Sequence, residues 1–314
     1  MTFFKTKYKK FFKNIIISLY FYPLRIRELS TKYNRIKKNG FSVKFLNEGS
    51  KIIKMPKISL LEFIFINKKL GENIYLFFNR PNKEALLRKI VFELYQSGYI
   101  KNNHSIIDIG CWLCDNSIIW AQYLNHDAIL YAIDPSKNNI AFGEILADLN
   151  KVKNIKFVTA VCAEKIGINF DYKGNIDHAN FIKTKSNSFI KSSTLDQIAY
   201  KERIKIGFMH LDVEGYEFNV IKGAKNIIKR DMPVIIFEQH ISKEKVNKII
   251  KYLAKLGYKT FMINEVIPDC DCDCRNFISI PSYREMPNLT KFDQSQGRYY
   301  GIFGATLGDS LIEV

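Results

Sequence analysis

From residue 104 onward the chain alternates short apolar runs with stretches of helical period. Ser105 to Ile109 reads as a buried strand, Asp115 to Leu124 as a helix, Ile129 to Ile133 as a second strand and Ser136 to Asn150 as its helix. Ile155 to Ala160 is a third strand, followed by a less regular insert up to Ser193 and a short helix over Thr194 to Ala199. The pattern then resumes with strand 206–211, helix 215–229, strand 234–238 and helix 242–256, and closes with strands at Tyr258–Asn264 and Asn276–Ile280. Strands separated by helices predict an α/β fold: a doubly wound, mostly parallel sheet with right-handed crossovers.

Upstream, Phe41 to Leu46 and Ile74 to Phe78 are β-rich, and Gly40, Gly49 and Gly71 punctuate them. Lys83 to Gln96 carries Leu86, Leu87, Ile90, Val91 and Leu94 at the spacing of a helix with one buried face. Four segments result: a basic aromatic arm over 1–40, an extension of short strands and a helix over 41–100, the α/β domain over 101–285, and a tail without a clear period over 286–314.

Charge changes the picture at one end only. The formal net charge is +17, and residues 1 to 40 hold eleven Lys and Arg against one Glu, so +10 of it lies in the first eighth of the chain. Basic residues interleaved with Phe, Tyr and Ile suit an anionic membrane surface; they equally suit a helix that packs its aromatics and leaves its lysines in water. No nucleic-acid motif accompanies the charge, and nucleic acid is not the expected partner. No apolar run reaches the roughly 18 residues of a membrane span, and a chain of this size with six cysteines has a reducing, cytoplasmic compartment as its default, peripheral to a membrane if the arm binds one.

The chemistry gathers where apolar runs end. Asp108 and Gly110 close the first strand before a turn into a helix, a shape that lets backbone approach a ligand at a helix N-terminus. Asp134 ends the next strand, where an acid can accept both hydroxyls of a ribose; its bland reading is a cap before Pro135 and Ser136. Asp212 and Glu238 end two further strands, and His240 follows two residues later. Histidine is the side chain whose ordinary titration spans neutral pH, so it can serve as a base, with Asp212 as the alternative, though His240 can also be read as a helix-start cap. Asp212, Glu238 and His240 also offer oxygen and nitrogen ligands to a divalent cation, but no dedicated metal site is expected. Glu214 and Glu217 fit the first turn of a helix on dipole grounds alone. The run Asp269 to Arg275, with cysteine at every second residue, lacks zinc-knuckle spacing and reads as an acidic turn.

Taken together, Asp108-Ile-Gly110, Tyr131-Ala-Ile-Asp134-Pro135, Ser193-Thr-Leu-Asp196, His210-Leu-Asp-Val-Glu-Gly-Tyr-Glu217, Lys222-Gly-Ala224 and Ile236-Phe-Glu238 resemble the FkbM-type family of class I methyltransferases over about residues 80 to 285. The resemblance implies a Rossmann-like seven-stranded sheet, S-adenosylmethionine as cofactor, and O-methylation of a sugar hydroxyl on a glycan or glycoconjugate. It implies cofactor contacts at Asp108, Gly110, Cys111, Ser117, Asp134 and Cys162, and chemistry at Asp212, Glu238 and His240. One loop departs from the pattern: family members carry Gly-Ala-Asn-x-Gly where this chain has Gly110-Cys-Trp-Leu-Cys114. If the last position needs a left-handed backbone, Cys114 is strained by roughly 1–2 kcal/mol there, and its side chain is expected to crowd the cofactor. A degenerate fold that binds a glycan or protein without catalysis is the competing reading.

Overall fold

The computed structural model describes residues 23–38, 40–44, 52–55, 57–63, 84–125, 127–173, 180–183, 190–199, 204–240, 245–265, 274–287, 289 and 311–314. Its strands are β1 Ser42–Lys44, β2 Ile52–Lys54, β3 Ser105–Ile109, β4 Leu130–Asp134, β5 Ile155–Thr159, β6 Val161–Cys162, β7 Asn169–Lys173, β8 Asn180–Lys183, β9 Ile190–Ser193, β10 Ile206–Leu211, β11 Val234–His240, β12 Tyr258–Ile263, β13 Cys274–Pro281 and β14 Leu311–Glu313. The helices are α1 Pro23–Lys38, α2 Ala85–Gln96, α3 Asp115–Trp120, α4 Lys137–Leu149, α5 Leu195–Ala199, α6 Glu217–Lys222, α7 Lys225–Asp231 and α8 Lys245–Lys255.

The main sheet has the order β14-β12-β13-β11-β10-β3-β4-β5. The five strands from β11 to β5 run parallel, and β13, β12 and β14 add an antiparallel edge. The sheet is Rossmann-like, with an eighth strand, β14, drawn from the tail that has no period in sequence. Every residue of β3 and β4 is buried, because helices cover both faces. Ile106, Leu130, Phe208 and Ile236 pack on one side with α2, α3 and α4. Ile107, Tyr131, Met209 and Phe237 pack on the other with α5, α6, α7 and α8. The insert before Ser193 holds structure too: β6-β9-β7-β8 form a small second sheet.

Several boundaries differ from the pattern, each for a local reason. The helix expected over 215–229 is two helices, broken at Gly223 and Ala224. A Cβ on Gly223 would lie 2.1 Å from the Ala163 carbonyl oxygen, so the chains meet there by close backbone approach. Asp196 then caps the second half, accepting from Asn226 N at 3.0 Å and Ile227 N at 2.9 Å. Strand β11 runs on to His240, which pairs with Cys274 in β13, so His240 is a strand residue and does not cap a helix.

The arm divides. Residues 1–22 and the run Ile74–Phe78 lie outside the described residues. Helix α1 packs on the extension: Leu29 and Ile36 are buried, and the Tyr33 hydroxyl donates to the Ile58 carbonyl at 3.0 Å. Its Arg35, Lys37 and Lys38 stay exposed, as an amphipathic packing helix requires. Among the described residues no helix is long and apolar enough to cross a membrane.

Candidate active site

The parallel register brings the strand-end acids to one edge. Asp108 lies beside His210 on one side and Ala132 on the other, and Leu211 pairs with Phe237, which sets Asp212 level with Glu238. Gly110 N donates to the Ile133 carbonyl at 2.9 Å, so the loop after β3 starts level with Asp134. Asp108, Asp134, Asp212 and Glu238 therefore all stand at the C-terminal edge of the parallel strands, where open α/β sheets bind ligands.

The loop from Gly110 to Cys114 is built from left-handed turns. Gly110, Trp112 and Cys114 have φ of 76°, 46° and 62°. A Cβ on Gly110 would sit 1.7 Å from the Asp212 carbonyl oxygen, so only glycine lets this loop lie against the end of β10. Cys114 takes the strained conformation expected of it. Its sulfur, however, turns under the loop: a Cβ on Gly143 of α4 would lie 2.4 Å from Cys114 Sγ, and Cys114 is fully buried. The Cys114 thiol donates to Cys111 Sγ at 3.6 Å, and burial keeps the Cys111 thiol well above its ordinary pKa.

Asp134 is held by the loop as well as by its own turn. Its Oδ2 accepts from Trp112 N at 3.1 Å, and Oδ1 accepts from Ser136 N at 2.7 Å and Asn139 Nδ2 at 3.2 Å. Burial pushes its carboxyl up to about 7, against the pull of these donors. These bonds agree with the cap reading and hold the carboxyl at the sheet edge beside the loop. Next to it, Asn139 Oδ1 is buried and has no hydrogen-bond partner among the described residues. Ser117 is fully buried and gives its hydroxyl to Asp108 Oδ2. Cys111 and Cys162 are 4% and 5% exposed, and burial raises the Cys162 thiol to about 12.

At the other end of the edge, Asp212 and Glu238 are half-buried and hydrogen-bonded to each other. Burial first, then the charges of Asp212 and Glu84, hold the Glu238 carboxyl well above the carboxylate range. Burial and the neighbouring charges therefore favour a proton held within this carboxyl pair. His240 lies two residues along the same strand, hence on the same face, but its ring is turned toward β13, with Nδ1 3.6 Å from Cys274 Sγ. Cys274 is disulfide-bonded, which departs from the all-thiol expectation and removes it as a thiolate ligand. Cys270 and Cys272 lie outside the described residues. Among the described residues no three His, Cys, Asp or Glu side chains converge to hold a metal ion.

Of the remaining motif acids, Glu214 is exposed in the turn before α6, with φ of 52°, and so is not in the helix's first turn as expected, while Glu217 is. Glu217 is buried and folds back on its own turn, accepting from Val213 N at 3.2 Å and Gly215 N at 2.9 Å and from the Gln239 side-chain amide. It fixes the turn that presents Asp212. Four further polar residues on this edge are buried: His210, which the motif contains without a role being read for it, and Glu84, Glu265 and Asn276, which no motif announces. Glu265 accepts from Leu86 N at 3.1 Å and Leu87 N at 3.2 Å, capping α2 from 179 residues away in sequence. The Asn276 amide donates to Glu84 Oε1 at 3.1 Å. His210 alone carried a signal, as a polar residue inside an apolar strand run.

Residues 120–260 match the family model described as the methyltransferase FkbM domain. Among solved structures, methyltransferase FkbM from Methylobacillus flagellatus KT is 14% identical, covering 70% of this chain and 58% of that one, with a TM-score of 0.44. This chain thus spans less than two thirds of that structure's length. An rRNA methylase from Streptococcus thermophilus is 9% identical, covering 63% of this chain and 95% of its own, with a TM-score of 0.41. A SAM-dependent methyltransferase from Aquifex aeolicus is 10% identical, covering 61% and 89%, with a TM-score of 0.37. No curated protein matches the chain.

Proposed function

Because residues 120–260 carry an FkbM-type, S-adenosylmethionine-dependent methyltransferase domain, we propose that this protein transfers the methyl group to a sugar hydroxyl of a glycan or glycoconjugate, at the edge formed by Gly110, Asp212 and Glu238. The residues present fit the cofactor. Asn139 Oδ1, buried beside Asp134 and without a partner among the described residues, is an acceptor suited to a ribose hydroxyl. The cysteine that replaces the family's second glycine turns its sulfur onto Gly143 and leaves the loop's outer side to backbone. Asp134, Asn139, Gly110 and Cys111 would hold the nucleoside side, with Ser117 and Asp108 as the floor beneath.

When bound, S-adenosylmethionine supplies a methyl group already activated on a sulfonium. The protein's own part is then to place a hydroxyl oxygen in line and to take its proton. The carboxyl pair supports this reading best. With one proton held in the pair, the other carboxyl is left to accept from the substrate hydroxyl, and we assign that role to Asp212 because the Gly110 loop lies directly against its backbone. His240, turned toward Cys274, is better placed to line the acceptor's path than to take the first proton.

The test is transfer of isotopically labelled methyl to a panel of sugars and glycoconjugates, read by mass spectrometry. Asp212→Asn should lower kcat by roughly 10²–10⁴-fold, the contribution of a general base, with cofactor affinity within a few-fold. Label on nitrogen, carbon or RNA in place of sugar oxygen would overturn the acceptor class. Wild-type turnover by Asp212→Asn would overturn the role of the pair.

A further inference from the structure

His210 has no place in the reaction as described, yet it sits between the two halves of the site. It is 3% exposed, and its neighbour Asp108 is 1% exposed. Nδ1 lies 2.9 Å from Asp108 Oδ1, while Asp108 Oδ2 accepts the hydroxyl of Ser117 from the first turn of α3. Trp120 of α3 packs edge-on against the imidazole at 5.0 Å between ring centroids. The other ring nitrogen, Nε2, is buried without a hydrogen-bond partner among the described residues. Asp108 therefore does not face a ligand directly. It joins β3, β10 and α3 beneath the loop that begins at Gly110, and His210 supplies the hydrogen bond from β10, with Phe208 packed beside it on Trp120.

Resting on the methyltransferase reading, we propose that His210 is a positioning residue for the cofactor: by holding Asp108 and, through it, Ser117, it fixes the floor of the Gly110–Cys114 loop and couples it to Asp212. The charged groups that act most strongly on the ring are acids, namely Asp108 from β3, Asp212 after β10 and Glu84 at the start of α2. Burial acts to lower the imidazole pKa, but the hydrogen bond and charge of Asp108 outweigh it and the net shift is upward. A protonated His210 thus offsets three neighbouring carboxylates. As pH rises through its titration that charge is lost, and the loop's floor is left with Asp108 and Asp212 facing each other across a neutral ring.

The experiment is equilibrium binding of S-adenosylhomocysteine between pH 6 and 9 to wild type, His210→Leu and His210→Asn. Leucine removes the donor to Asp108, and affinity should fall at least about tenfold, as expected when a hydrogen bond to a buried charged group is lost. Asparagine can place a donor where Nδ1 was, so affinity at low pH should return to within a few-fold of wild type. The wild-type decline in affinity toward high pH should be absent in His210→Asn. Should His210→Leu fail to fold, ring-nitrogen NMR of wild type decides: ligand binding should move the His210 titration midpoint upward, the reciprocal of pH-dependent affinity. An unmoved midpoint, or variants that bind with wild-type affinity and wild-type pH dependence, would overturn this assignment alone. Wild type that binds no S-adenosylhomocysteine would overturn it together with the methyltransferase reading.

Discussion

Glu217 shows how a residue can be essential to a site without touching a ligand. Its carboxyl ties Val213 N and Gly215 N into the turn after Asp212, and burial pushes it up to about 7 from an ordinary 4.5. A folded pKa raised above the unfolded one means the native state binds the proton more tightly. The stability this contributes is fully present below about pH 4.5 and is lost as pH rises through about 7. Glu217→Gln removes the titration while keeping an amide oxygen for the two N–H groups. Its melting temperature should therefore vary less between pH 5 and 8 than that of wild type; equal slopes in thermal scans would contradict the assignment. The strand-end acids Asp108, Asp134, Asp212 and Glu238 were legible in the sequence because each closes or follows an apolar run. Glu84, Glu265 and Asn276 were not, because their partners lie 179 to 192 residues away and only the folded sheet brings them together. Ser117 lies only nine residues from Asp108, and spacing put it beside the loop without showing that its hydroxyl is directed at Asp108.

At the scale of elements, α3, α4 and the loop before them form one packed unit. The loop's left-handed Cys114 is accommodated because Gly143 of α4 leaves room for its sulfur. Gly143→Ala would place a methyl 2.4 Å from Cys114 Sγ. Overpacking of this kind typically costs about 1–3 kcal/mol. Urea unfolding should show that loss, and Cys114→Gly, which suits a left-handed backbone and removes the sulfur, should restore most of it in the double variant. Strictly additive effects would mean the two sites do not share the space. Periodicity could not foresee this pairing. It also misread the helix over 215–229, since the apolar period continues across Gly223 while the close approach of Ala163 breaks the helix there.

At the scale of the whole molecule, the parallel order of the sheet was legible, because strands and helices alternate and each strand end carries its polar residue. The antiparallel edge was legible only in part: β14 is three residues long and carries no period of its own. Helix α1 places Leu29 and Ile36 inside the extension. Removing residues 1–40 should lower the melting temperature below that of the protein lacking residues 1–22, as loss of a packed helix face requires. Equal melting temperatures for the two truncations would show that α1 adds no stability. In the proposed reading, the edge running from Asp134 to Asp212 holds S-adenosylmethionine. Calorimetric titration of the full chain with S-adenosylhomocysteine should show saturable binding, and Asp134→Ala should weaken it by roughly 1.5–3 kcal/mol, the range for a hydrogen bond to a charged group. Folded wild-type protein that gives no binding, or a folded Asp134→Ala that binds as wild type does, would contradict it.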